Sequence, residues 1–126
     1  MYSVKIRDHV MIAHSLKADG FFGPAEKLHG ATYIVDVVFF LKELDEHNVV
    51  IDIGYATSVV KEVIQPLSYH NLDEMEEFSG KLTTTEYLAK YIHDQVKSKV
   101  AGFPGKLKVT LGESHVAWAS YEDHFE

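Results

Sequence analysis

Cysteine is absent from this 126-residue chain, which excludes disulfide staples, thiolate metal sites and a cysteine nucleophile. Long apolar runs are absent too; none approaches the ~20 residues of a membrane-spanning helix. Positive charge is short: 12 Lys and Arg face 19 Asp and Glu, a net charge of −7. That balance disfavours non-specific binding to nucleic acid or anionic membranes. The first eight residues, Met1 to Asp8, have neither the basic start nor the apolar block of a secretory signal. A cytoplasmic protein with no nucleic-acid or membrane partner is expected. Proline is scarce, and Pro24, Pro66 and Pro104 fall at breaks between periodic segments.

What is present reads as an ordinary globular protein, 46% hydrophobic and 25% charged, with one domain spanning 1–126. Val4, Ile6, Val10, Ile12 and His14 alternate, with Asp8 interrupting, and predict a strand over about 2–14. Residues 17–28 hold two glycines and a proline and read as a loop. Tyr33, Val35, Val37, Phe39 and Leu41 line one face of a second strand, and Ile34, Val38 and Phe40 the other. A strand apolar on both faces predicts burial between a helix layer and another subunit.

Asp52 is the expected N-cap of a first helix, striped by Ile53, Ala56, Val59, Val60, Val63, Ile64 and Leu67. Residues 71–81 are polar and acidic and read as a surface loop. Thr83 with Glu86 fits a capping box for a second helix, buried through Leu88, Ile92 and Val96. In the last segment Leu107, Val109, Leu111, Glu113, His115, Ala117, Ala119 and Tyr121 share a face, over a length that allows two strands. The order β, β, α, α, β predicts an α+β domain with helices on one face of an antiparallel sheet.

Chemistry concentrates in three fragments: Ala13-His14, His29-Gly30-Ala31-Thr32-Tyr33 and Glu113-Ser114-His115. Residues two apart on a strand point the same way, so a histidine at 31 would complete a metal site with His14 and His29. Position 31 is alanine. These fragments, with Ile51-Asp52-Ile53, Leu67-Ser68-Tyr69-His70-Asn71-Leu72-Asp73, Thr83-Thr84-Thr85-Glu86-Tyr87 and Ala119-Ser120-Tyr121, run in a telling order. Together they resemble the 6-pyruvoyltetrahydropterin synthase family, which includes 6-carboxytetrahydropterin synthase. Its pattern has Ala-His; Cys before His-Gly-His-Asn-Tyr; Val-x-Asp-Phe; Leu-Asp-His-x-x-Leu-Asn; Pro-Thr-x-Glu-Asn; and a late Glu-Thr before Ala-x-Tyr. The likeness covers essentially the whole chain.

The resemblance implies the tunnelling fold (T-fold): a four-stranded antiparallel sheet backed by two helices. It also implies a homo-hexamer built as a dimer of trimers, with sites between subunits. Glu113 corresponds to the glutamate that anchors a pterin, a carboxylate accepting two parallel hydrogen bonds from the ring. Thr84 and Glu86 match Pro-Thr-x-Glu, and Thr85 is their companion in the pterin-binding set. The family cysteine falls near Ala25 and its Asp-His pair on Ser68-Tyr69, so the proton relay is missing.

Of the three zinc histidines only His14 and His29 remain, and the expectation is a vestigial site without zinc. The alternative is a remodelled site that recruits Glu26 or His115 as third ligand. A lyase or aldolase-like reaction on the C6 side chain of a reduced pterin, such as dihydroneopterin or its triphosphate, is the leading reading. Glu26, His29 and His115 are then the candidate catalytic residues. The alternatives are a non-catalytic pterin-binding homologue and a zinc-dependent synthase with a relocated ligand. Tyr69 reads as a packing aromatic at a loop edge, with a weak-acid role weighed against it. His9, His47, His70, His93 and His124 read as ordinary surface or structural histidines.

Overall fold

The computed structural model describes residues 1–125. Two long strands, β1 (Tyr2–His14) and β2 (His29–Leu41), pair antiparallel over their whole length, from Tyr2 with Leu41 to His14 with His29. After helix α1 (Ile53–Ile64), a two-residue strand β3 (His70–Asn71) joins the outer edge of β1 in parallel. Helix α2 (Thr85–Lys99) leads into the hairpin of β4 (Lys106–Ser114) and β5 (Ala117–Glu122). The sheet order is β3-β1-β2-β4-β5. The expected four-stranded antiparallel sheet is therefore present, extended by a parallel strand too short to leave a periodic signal.

Strand alternation decides what is buried. Ile6, Val10 and Ile12 of β1, Tyr33, Val35, Val37, Phe39 and Leu41 of β2, and Leu107, Val109 and Leu111 of β4 all face one side and are buried. Helix α1 lies over β1 and α2 over β4 and β5, covering that side with Val59, Val60, Val63, Leu88, Ile92 and Val96. Truncating a wholly enclosed member such as Phe39 to alanine costs about 3–5 kcal/mol. The opposite face carries Ile34, Val38 and Phe40 only half-buried. Asp36 sits among them, buried by a bidentate pair in which Arg7 Nε and Nη2 donate at 2.7 and 2.9 Å.

Three local expectations are corrected. The cap of α2 is Thr84, whose hydroxyl accepts from the Tyr87 N–H at 3.1 Å; Thr83 is turned inward instead. Residues 71–81 are not merely a surface loop, because two short 3-10 turns drive Leu72 and Phe78 into the core. His115 does not share a strand face with Glu113. It occupies the two-residue turn of the β4–β5 hairpin, and the register shifts between Gly112 and Ser114. Asp52 caps α1 as expected, accepting from the Tyr55 N–H at 2.8 Å.

Candidate functional site

The site grows from the paired ends of β1 and β2. His14 is opposite His29, and the alternation of both strands turns the two imidazoles to the helix side. Their rings meet edge to face, 4.7 Å between centroids. His14 is 2% exposed, with Nδ1 2.9 Å from Thr83 Oγ1. His29 Nδ1 lies 2.7 Å from the Lys27 carbonyl, which can only accept, so Nδ1 donates, and in the neutral ring the lone pair is on Nε2. Burial lowers the His14 pKa and the neighbouring His29 lowers it further, against the opposing influence of Asp73 and of hydrogen bonding to the Thr83 backbone. Burial thus favours the neutral form of His14. Ser15 anchors the chain just beyond it, donating from its backbone N–H (3.2 Å) and hydroxyl (2.5 Å) to Asp73.

This donor set does not fit a catalytic zinc, which takes three protein ligands and an open position. Ala31, next on the same face of β2, brings no donor. Among the described residues, no three His, Cys, Asp or Glu side chains gather as a set able to hold a metal. Glu26 is engaged elsewhere: its two carboxylate oxygens accept from the Ala18 and Phe22 N–H groups at 3.2 and 3.3 Å, closing the 17–28 loop. His115 stands exposed in its turn. Neither supplies a third donor to the histidine pair.

Farther along the same face of β2 a second cluster forms. Ile34 pairs with Gly112, which sets Tyr33 and Glu113 side by side at the end of the β2–β4 ladder. Glu113 lies at the irregularity where β4 slips against β5, and such a bulge re-aims a side chain. Gly112 permits this local packing, since a Cβ there would overlap the Trp118 ring. The buried Tyr33 phenol has its pKa raised, first by burial and then by the carboxylates of Glu113 and Glu86, while hydrogen bonding of Thr85 works the other way. The Tyr33 phenol thus feels the charges of Glu113 and Glu86 and hydrogen bonding from Thr85, near the N-terminus of α2, whose cap is Thr84. The sequence pointed to these four; Tyr33 it placed on the core face of β2 and at the end of the His29–Tyr33 fragment, with no role of its own.

Other expected positions resolve plainly. Ala25 belongs to a 3-10 turn, Gly23–Glu26. Tyr69 is no packing aromatic: it is 80% exposed, with φ of 60° and its N–H donating to the Met11 carbonyl at 2.6 Å. A bulky residue held in that region is strained. His70 lies in β3 rather than in a loop. His93 is buried, its Nε2 3.5 Å from Asp123. Thr83, the partner of His14, was missed as a site residue because a run of three threonines hides which one caps the helix.

Comparison with known proteins agrees with this layout. The family model of 6-pyruvoyl tetrahydropterin synthase matches residues 3–124. The 6-carboxy-5,6,7,8-tetrahydropterin synthase of Bacillus subtilis is 30% identical over 121 residues, covering 90% of this chain and 80% of the relative. Among solved structures, the 6-pyruvoyl tetrahydropterin synthase of Caenorhabditis elegans superposes with a TM-score of 0.87 at 24% identity, covering 98% of this chain and 96% of the other. A catalytic-residue mutant of the Plasmodium vivax enzyme gives 0.77 at 18% identity, with 98% of both chains covered. The structural likenesses speak for the fold alone. The family model and the Bacillus subtilis relative go further: this chain belongs to the 6-pyruvoyl tetrahydropterin synthase family.

Proposed function

We propose that this chain binds a reduced pterin and acts on its C6 side chain as a lyase of the aldolase type, distinct from pyruvoyltetrahydropterin formation. The observation that carries the reading is that Glu113, Glu86 and Thr85 all act on the Tyr33 phenol, farther along the same face of β2 as the His29 ring that meets His14. A pterin offers a 2-amino group and a ring N–H on one edge, and the Glu113 carboxylate accepts both as a charge-assisted fork. Its ring carbonyl is an acceptor, suited to the free N–H groups in the first turn of α2, where Thr84 is the cap and Thr85 and Glu86 follow. Four residues of strand, about 13 Å, separate His29 from Tyr33. That distance leaves room for a bicyclic ring held at one end and its hydroxylated side chain at the other.

At the side-chain end His29 is the proton acceptor, because its Nε2 lone pair is set by the Lys27 carbonyl. It takes the proton of a side-chain hydroxyl as the adjacent carbon–carbon bond to the ring-bearing carbon breaks. The bonding pair forms a double bond from that carbon to C6 while the C6=N5 π pair moves to N5, which takes a proton from water. Return of that hydrogen to the side-chain carbon restores C6=N5, and His29 gives its proton back to the hydroxide. Glu26 and His115 join only if the loop or the hairpin turn closes over the ligand. The assembly belonging to this reading is a homo-hexamer, a dimer of trimers, with the half-buried outer sheet face covered by other copies.

The test is incubation of purified protein with dihydroneopterin and with its triphosphate, with and without added zinc, and mass spectrometry of the products. Consumption of either with release of a two-carbon aldehyde is expected. No turnover of either would overturn the lyase reading. The engagement of Glu26 by backbone N–H groups favours a second reading, a pterin-binding protein without turnover. It predicts saturable binding and no product.

A further inference from the structure

We propose that Thr83 is the positioning residue of His14, its hydroxyl locking the imidazole in one orientation and one tautomer toward the bound side chain. This deepens the pterin reading above and rests on it for the identity of the ligand, though not for the lock itself.

Thr83 and His14 lie 69 positions apart, are each 2% exposed, and meet through one side-chain hydrogen bond, Oγ1 to Nδ1 at 2.9 Å, beside a hydrogen-bonding contribution from the Thr83 backbone. The main chain at His14 cannot follow a rotating ring, because Ser15 is held at two points by Asp73. Only a ring flip remains, and it would exchange Nδ1 for a carbon, leaving the buried Thr83 hydroxyl without its imidazole partner. Neutral imidazole carries one N–H and one lone pair, so fixing the role of Nδ1 fixes that of Nε2.

His14 Nε2 has no hydrogen-bond partner among the described residues. The one buried side-chain nitrogen or oxygen left without a partner there is His93 Nε2. His14 Nε2 is therefore not fully enclosed, and it lies beside the ring of His29. A partner on one ring nitrogen orients the imidazole and sets the role of the other nitrogen, and here a hydroxyl supplies it.

The test pairs two readouts on wild type, Thr83→Val and Thr83→Ser. Thr83→Val keeps the shape and removes the hydroxyl; Thr83→Ser keeps the hydroxyl, and its folding is checked by melting. The first readout is the ¹⁵N spectrum of the His14 ring in ligand-free protein. A single tautomer is expected in wild type and Thr83→Ser, and a mixture in Thr83→Val. The second is affinity for dihydroneopterin against a pterin without a C6 side chain. Thr83→Val is expected to weaken the first about tenfold, the worth of one hydrogen bond, and leave the second unchanged. A mixed tautomer in wild type, an unchanged spectrum in Thr83→Val, or an equal loss for both ligands would overturn the proposal. If no pterin binds wild type, the functional reading falls, while the ring spectrum still judges the lock.

Discussion

Asp36 shows how a single residue ties this fold to pH. It projects from β2 onto the outer sheet face, and its pKa is lowered first by the hydrogen bond from Arg7, then by the charges of Arg7 and Lys5, with burial opposing. A carboxyl depressed in the folded state adds stability above its unfolded value, about 4, and loses it as pH falls through the folded value. The melting temperature of wild type is expected to drop steeply below about pH 4, and that of Asp36→Asn less steeply. Parallel acid limbs would contradict this. In the sequence, Asp36 is only an interruption in an apolar strand. Its partner lies 29 positions away and becomes visible once the β1–β2 register sets Arg7 opposite Asp36. Glu113 was readable in the sequence as a candidate because carboxylate, flanking residues and chain order all resemble one pattern. Thr83 was not, because choosing among three adjacent threonines needs the tertiary contact to His14.

Among the elements, the long strands and both helices were legible because each repeats its burial pattern over many residues. Strand β3 and the 3-10 turns at Leu72 and Phe78 were not, since two or three residues carry no period. The cap of α2 tests the corrected boundary. Thr84→Ala is expected to cost about 1 kcal/mol in a denaturant melt, the usual worth of an N-cap. An undiminished melt would return the cap to Thr83. The hairpin gives a second test, because its bulge depends on Gly112 lying under Trp118, the single tryptophan. Gly112→Ala must displace that ring, with an expected loss of about 1–3 kcal/mol and altered indole emission. Unchanged emission and stability would show that the ring does not rest on Gly112.

At the scale of the molecule, one sheet carries two kinds of surface. Its helix-covered side holds the core, with the histidine pair at one end of the β2 face and the Tyr33–Glu113 cluster further along. Its other side leaves Ile34, Val38 and Phe40 half-buried and Met11 and Trp118 exposed, a face that six-fold assembly would cover. Native mass spectrometry is expected to give six times the 14.3 kDa chain; a monomer would contradict the proposed assembly. None of the described helices is long and apolar enough to cross a membrane. The central claim is that a pterin pocket anchored by Glu113 persists although its metal set is incomplete. Calorimetric titration of wild type and Glu113→Ala with dihydroneopterin tests it most directly. Saturable binding by wild type, weakened at least about a hundredfold in Glu113→Ala, is predicted from the loss of two charge-assisted hydrogen bonds. Equal binding by both proteins, or none by wild type, would contradict it.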